Sequence, residues 1–255
     1  MPPQIRAVRA AFAFLTRLPM GGCRETDEDL RWAPAHFPLV GLVLGSVLAC
    51  AWLAVRHIGA LPCAVLVVSL SMLLTGALHE DGLADTADAL GGSRTPDDLM
   101  RILKDSRIGA FGAAALASAI LWRVVFLASL DARAPAALVA VHCAARVSPV
   151  WLMLAMPYVS GQHAKSRDLA RVRAPQAIVA TAWGALIMAL LARGRWLALE
   201  DIVALAVALL TCAVLCGLRF RKRAGGITGD FLGAAEQIGE CVGLLALAWT
   251  HRGLA

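Results

Sequence analysis

The chain has 255 residues, 59% of them hydrophobic and 16% charged, with a net charge of +6 and a mean hydropathy of +0.70. Soluble domains carry roughly 45–50% apolar and about 25% charged residues, so a water-soluble globular protein is excluded. The apolar residues fall in blocks near the ~20 residues that a membrane crossing needs, and the basic excess lies between blocks, where it serves topology rather than nucleic acid.

In chain order, the first 35 residues carry Arg6, Arg9, Arg17, Arg24 and Arg31. They lack the apolar core and small-residue cleavage site of a signal peptide. "RAVRAAFAFLTRLP" predicts a short basic amphipathic helix at the membrane interface. Seven apolar spans follow, at 36–55, 60–78, 108–130, 134–156, 175–192, 202–219 and 234–250. With that layout the amino-terminal segment and the segments 79–107, 157–174 and 220–233, with Arg219 at the last one's edge, share one side. They hold 17 of the 24 Lys and Arg. The positive-inside rule puts that side, and the amino terminus, in the cytoplasm. The expectation is an all-α, polytopic membrane helix bundle of about seven transmembrane helices, a single domain over 1–255 with 1–35 cytoplasmic or interfacial. The seven cysteines form no CxxC pair; Cys212 and Cys216, one helical turn apart, are expected to be apolar filler.

The acidic residues concentrate in 79–107. If the second span continues as a helix past the membrane edge, Asp81, Asp85 and Asp88 fall at i, i+4 and i+7, within roughly 40° of one stripe. Gly82, Ala84, Ala87 and Ala89 leave room for a bulky ligand, and Gly91-Gly92 ends the helix. Three like charges repel one another. A hard divalent cation such as Mg²⁺, bound by a few carboxylates and substrate phosphates, relieves this. A solvated acidic face and a proton or ion pathway are the other readings.

Next, "TPDD" at 95–98 predicts a helix start with Thr95 as N-cap and Asp98 closing a capping box, which gives Asp97 and Asp98 a structural role. In "KDSRIGAFG" a carboxylate, Asp105, and a guanidinium, Arg107, suit metal and phosphate; an ion pair at a helix terminus is the equal alternative. Of the arginines inside spans, Arg146 is expected to face the site and Arg123 to snorkel or to pair structurally. His79 adjoins the carboxylates, and the other histidines show no ligand spacing. "MPYVSGQHAKSRD", 156–168, is a candidate substrate-facing loop, although its basic residues serve topology equally. Finally, "RFRKRAGGITGDFLGAAEQIGE" runs from a basic cluster, a headgroup anchor, to Asp230, Glu236 and Glu240. Carboxylates at membrane depth are costly and point to function, with Asp230 and Glu240 favoured. Carboxylates for a cation beside guanidiniums for phosphate indicate phosphoryl or phosphodiester transfer. No GxxxxGK[ST] loop is present, which argues against P-loop ATP hydrolysis.

"FLTRLPM", "FPLVGLVLG", "HEDGLADTADAL", "KDSRIGAFG" and "GGITGDFLGAAEQIGE" occur in the order, and with the wording, of the cobalamin synthase family, the adenosylcobinamide-GDP ribazoletransferases, which the chain closely resembles. The resemblance implies an Mg²⁺-dependent enzyme of the bacterial inner membrane with its active site on the cytoplasmic face. It would join adenosylcobinamide-GDP to α-ribazole or its 5′-phosphate and release GMP, the last assembly step of cobalamin biosynthesis. Asp81, Asp85 and Asp88 match the family's acidic motif and become the metal ligands; one of them, or Asp105, takes the hydroxyl proton. Arg17, Arg107 and Arg146 become the phosphate-binding candidates, with Asp230 and Glu240 a second acidic patch for metal or ribose. Phe231 departs from the family pattern, which has threonine there. The implied partners are the two substrates and the lipid bilayer, with no nucleic acid and a homo-oligomer left open. The acidic motif is also similar to that of CDP-alcohol phosphotransferases. Asp85 and Thr86, however, stand where that pattern has alanine and arginine. A cation-coupled transporter is the alternative from another class, and it would place carboxylates near mid-membrane in paired halves.

Overall fold

Caps, prolines and left-handed residues set the helix ends. The computed structural model describes residues 2–21, 25–159 and 172–252; most of the candidate loop, from residue 160 onward, lies outside them. Helix α1 (Pro3–Leu15) opens on a proline and buries Ala7, Ala10, Ala11 and Leu15, a helical stripe. Helix α2 (Asp27–Trp32) carries a reciprocal cap between Thr26 and Asp29. A 3₁₀ turn, Ala33–His36, leads into α3 (Phe37–Val55).

Helix α4 (Ala60–Thr75) ends at Gly76 and Ala77, whose φ angles are 67° and 55°. The Ala77 N–H closes on the Met72 carbonyl at 2.8 Å. Helix α5 (Leu78–Gly92) then leaves at 90°. The acidic stripe is therefore not a straight continuation of the second span: two left-handed residues turn the chain so that α5 crosses the end of α4.

Helix α6 (Pro96–Ile102) starts as expected, with Thr95 accepting the Asp98 N–H at 3.1 Å, but the Asp98 carboxylate pairs with Arg101 rather than closing the box. Helix α7 (Ala110–Leu130) follows. The expected span 134–156 is two helices, α8 (Ala134–Ala145) and α9 (Ser148–Ala155), broken at Arg146 with Pro149 opening the second. The last three are α10 (Ala174–Arg193), α11 (Leu199–Ala224) and α12 (Gly229–Arg252). Among the described residues there is no strand, only an isolated bridge between Tyr158 and Ile227.

The protein is an all-α polytopic membrane bundle. Among the described residues five stretches are long and apolar enough to cross a bilayer: Asp27–Ile58, Ala110–Ala155, Ala174–Arg193, Leu199–Ala224 and Gly229–His251; the bent pair α4–α5 makes a sixth if it is one span. The expected seven is reached only by also dividing the 46-residue stretch Ala110–Ala155 at Asp131, where φ is 42°. At 1.5 Å per residue that stretch is about twice the ~30 Å hydrocarbon core. Leu73, Leu121, Leu190, Val207, Leu210 and Leu218 point outward, as lipid-facing residues do.

Glycines bring the inner helices together. On α3, Gly41 and Gly45, one turn apart, meet the α8 backbone at His142 and Leu138 so closely that a Cβ at either would collide. Gly82 of α5 does the same against α12, where a Cβ would sit 2.9 Å from the Asp230 carbonyl. Gly82, Ala84 and Ala89 are buried. Gly82, against α12, and Ala84, whose carbonyl meets Gly112 of α7, thus admit neighbouring helices rather than a ligand.

Candidate active site

The α5–α12 crossing fixes where the carboxylates meet. Thr228 caps α12 by accepting the Phe231 N–H at 3.2 Å, which presents Asp230 in the first turn. Phe231 itself is fully buried and stacks on Phe220, with ring centroids 4.3 Å apart. Its departure from the family pattern therefore falls in the core. Across the crossing, Asp81 and Asp230 line one cavity of about 300 Å³. Its walls are largely apolar, from Phe14, Leu15, Phe37, Pro149, Met153 and Leu232, and its ionisable lining is completed by His79, Arg146 and Glu236. Asp85 lies within the field of Asp81, Asp230 and Asp88. Among the described residues neither Asp81 nor Asp85 has a hydrogen-bond or ion-pair partner. Carboxylates left so close without a counter-charge are held against their mutual repulsion.

Asp88 differs. One of its oxygens accepts the Gly109 N–H at 2.7 Å and the other the Gly112 N–H at 2.8 Å, which caps the start of α7 from another helix. Asp105 and Arg107 are bound to each other: the guanidinium meets both carboxylate oxygens, at 3.0 and 2.7 Å, on an exposed surface. The Arg107 hydrogen bonds pull the Asp105 carboxyl down to about 2. Neither lines the cavity. Arg17 donates its N–H to the Leu74 carbonyl at 2.7 Å and lays its guanidinium over Gly76, at the α4–α5 bend. A side chain at Gly76 would displace it.

Arg146 reaches the cavity from the α8–α9 break, as expected, and is buried. It belongs to an ion network that the sequence reading only touched. Arg146 meets Glu236 at 2.9 Å and Glu240 at 3.3 Å. Arg123 meets Glu80 at 2.9 Å and Glu240 at 3.4 Å. His142 Nδ1 meets Glu240 at 2.6 Å, and His79 Nδ1 meets Glu236 at 3.6 Å. All seven side chains are buried or nearly so. Glu240, expected at the substrate, sits in this network and not in the cavity wall. Glu80, His142 and Glu236 were missed as partners. Their signal was present: two arginines inside apolar spans require carboxylates, and His142 precedes Arg146 by one turn. Removing one member would leave an uncompensated buried charge, at a cost of about 3–5 kcal/mol.

Among the described residues no three His, Cys, Asp or Glu side chains are already gathered as a metal cluster. The donor chemistry still suits Mg²⁺, which takes one or two carboxylates and completes its shell with water and substrate phosphates. Asp81 and Asp230, which line one cavity, with Asp85 in the field of both, fit that pattern. The headgroup-anchor reading of the basic cluster also changes at Arg223, which donates to the carbonyl and hydroxyl of Ser93 at 2.8 and 2.7 Å and holds the carboxyl end of α5. Cys212 and Cys216 lie 4.0 Å apart, sulfur to sulfur, within the bundle.

No solved structure matches the chain. It is similar to curated proteins named adenosylcobinamide-GDP ribazoletransferase: 41% identical to that of Ralstonia nicotianae, covering 96% of each chain. It is 39% identical to that of Ralstonia pickettii, again over 96% of each. Identity with that of Shewanella frigidimarina is 37%, over 96% of this chain and 95% of the other. The profile of the family described as cobalamin-5-phosphate synthase matches residues 7–248. With the profile matching residues 7–248 and a relative 41% identical over 96% of each chain, the chain belongs to the cobalamin-5-phosphate synthase family.

Proposed function

We propose that the protein transfers the adenosylcobinamide-phosphate group of adenosylcobinamide-GDP to α-ribazole, or to its 5′-phosphate, giving adenosylcobalamin or its phosphate and GMP. The observation that carries this reading is that Asp81 and Asp230, 149 positions apart, line one cavity together with Arg146, in a chain of this family. A ribazole hydroxyl oxygen bonds to the phosphorus nearer the corrinoid. The bridging P–O bond of the pyrophosphate breaks, GMP leaves with that electron pair, and the hydroxyl proton passes to a carboxylate or to water.

Asp81, Asp85 and Asp230 are the residues that would hold Mg²⁺ against the pyrophosphate. When bound, the ion supplies charge neutralisation for the phosphoryl oxygens. Arg146 adds a fixed positive charge at the cavity, and Arg17, laid over Gly76 at the α4–α5 bend, is the candidate for the outer phosphate. Asp88 acts by fixing α7 to α5. Asp105, as an ion-paired carboxylate held near 2, is a poor proton acceptor at neutral pH. The membrane is read as the bacterial inner membrane, with this end of the bundle on the cytoplasmic face.

The test uses purified protein in detergent or liposomes with both substrates, in Mg²⁺ and in EDTA. The expected outcome is GMP release coupled to corrinoid product, abolished by EDTA and restored by added Mg²⁺. A folded preparation that gives no product with either acceptor, but turns over CDP-activated alcohols, would replace this reading with a lipid phosphotransferase.

A further inference from the structure

A cavity of about 300 Å³ is at the lower end of the roughly 300–1,000 Å³ that buries a small ligand. It admits one nucleoside. It does not admit a corrin macrocycle with its side chains, an upper adenosyl group and a nucleotide tail, which is several times larger. The two substrates of the proposed reaction therefore cannot share it, and the chemistry of the walls distinguishes them.

We infer that this cavity is the acceptor subsite: it takes the flat, methylated benzimidazole base and ribose of α-ribazole, while the corrinoid donor stays outside and presents only its pyrophosphate. The inference rests on the proposed function. Phe14 and Phe37 stand near-parallel, 7° between planes and 6.1 Å between centroids, and both line the cavity with Met153 and Pro149. Such walls favour a flat aromatic base by stacking and by sulfur contact. Benzimidazole has no exocyclic donors. Guanine, the flat base of the donor, carries an N–H edge and a carbonyl that the Phe14, Phe37, Met153 and Pro149 end of the cavity would leave unpaired, at a cost in affinity. The polar lining suits a ribose. Among the described residues Arg146 Nε has no hydrogen-bond partner, and the Arg146 side chain is part of the cavity lining, where its guanidinium is the donor on hand for a sugar oxygen. Asp81 and Asp230 lie on the same cavity, where the attacking hydroxyl must meet the phosphorus.

Two variants and one binding measurement test this. Met153→Trp fills the apolar end, and Phe37→Ala removes an aromatic wall. Each is expected to raise the KM for α-ribazole at least about tenfold while the KM for adenosylcobinamide-GDP stays within about twofold. By equilibrium dialysis, wild-type protein without donor should bind α-ribazole, and GMP should not displace it. A rise confined to the donor KM, or displacement of α-ribazole by GMP, overturns the inference and leaves the reaction standing. If neither variant folds, dialysis on the wild type decides. If the wild type turns over neither acceptor, the proposed function fails, and α-ribazole binding still decides the subsite by itself.

Discussion

Asp81, Asp85 and Asp88 share one stripe of α5 but have different surroundings, and substitution separates them. Asp81 and Asp85 have no partner among the described residues, whereas Asp88 holds two backbone N–H groups of the α7 start. Asp81→Asn and Asp85→Asn are expected to lower turnover by roughly 10²–10³ with an unchanged melting temperature, because each removes charge from the reacting centre only. Asp88→Asn is expected to cost about 1–3 kcal/mol of stability, since one amide oxygen cannot serve both N–H groups. Thermal unfolding beside GMP-release kinetics checks all three; a stable, inactive Asp88 variant would return that residue to the metal. Asp105 gives a pH prediction. Its folded value is depressed to about 2 from 3.8, so what the Arg107 pair contributes is fully present above about pH 4 and lost as pH falls through about 2. The pair is intact throughout pH 5–8, and Asp105→Asn should keep the wild-type pH–rate profile across that range. Loss of the acid limb in that variant would make Asp105 the proton acceptor.

At the scale of the elements, the site depends on how closely α5 and α12 approach. Gly82 lies against the Asp230 backbone, so at that position the crossing has no room for a methyl group, while Gly233 faces Gly82 and His79 at ordinary contact distance. Gly82→Ala should part the helices by a few tenths of an ångström or more and separate Asp81 from Asp230. The expected result is a loss in kcat of roughly a hundredfold while the protein still extracts and purifies as a folded species. Wild-type kcat would mean that the two carboxylates do not act together. The helices themselves were legible as apolar runs, and Thr95 and Pro96 marked the α6 start, because caps and prolines act within a turn. The bend after Thr75 was not. "TGALHED" contains alanine and leucine, which favour helix, and nothing local shows that Gly76 and Ala77 turn left-handed. The same blindness turned Gly82 and Ala84 into space for a ligand. Small residues look alike in sequence whether they leave a cavity or admit a helix, and only the partner's position decides.

Across the whole molecule, contacts between distant segments collect at two ends. Arg17 on Leu74, Asp88 on Gly109, Arg223 on Ser93 and Tyr158 beside Ile227 gather the acidic segments, the α1 end and the α11–α12 turn at one end. Asp201, fully buried, meets Arg133 and accepts the Thr250 hydroxyl at 2.6 Å at the other. Helices α7, α11 and α12 each run from one set to the other. Among the described residues, the basic segments 79–107 and 219–233, which the positive-inside rule would assign to the cytoplasm, are at the carboxylate end, and the turns near 131–133 and 194–198, with few basic residues, belong to the opposite end. Charge asymmetry was readable because it is a property of composition along the chain; the buried ion network was not, because pairing Arg123 with Glu80 and Glu240 needs the fold. Reporter fusions test the orientation. A phosphatase joined after Arg195 should be active, and one joined after Arg94 or Gly225 inactive, with a fluorescent reporter giving the reverse pattern. The opposite result would put the carboxylate end outside the cytoplasm, where a GDP-activated donor is not made, and the proposed reaction would then lack its substrate at the site.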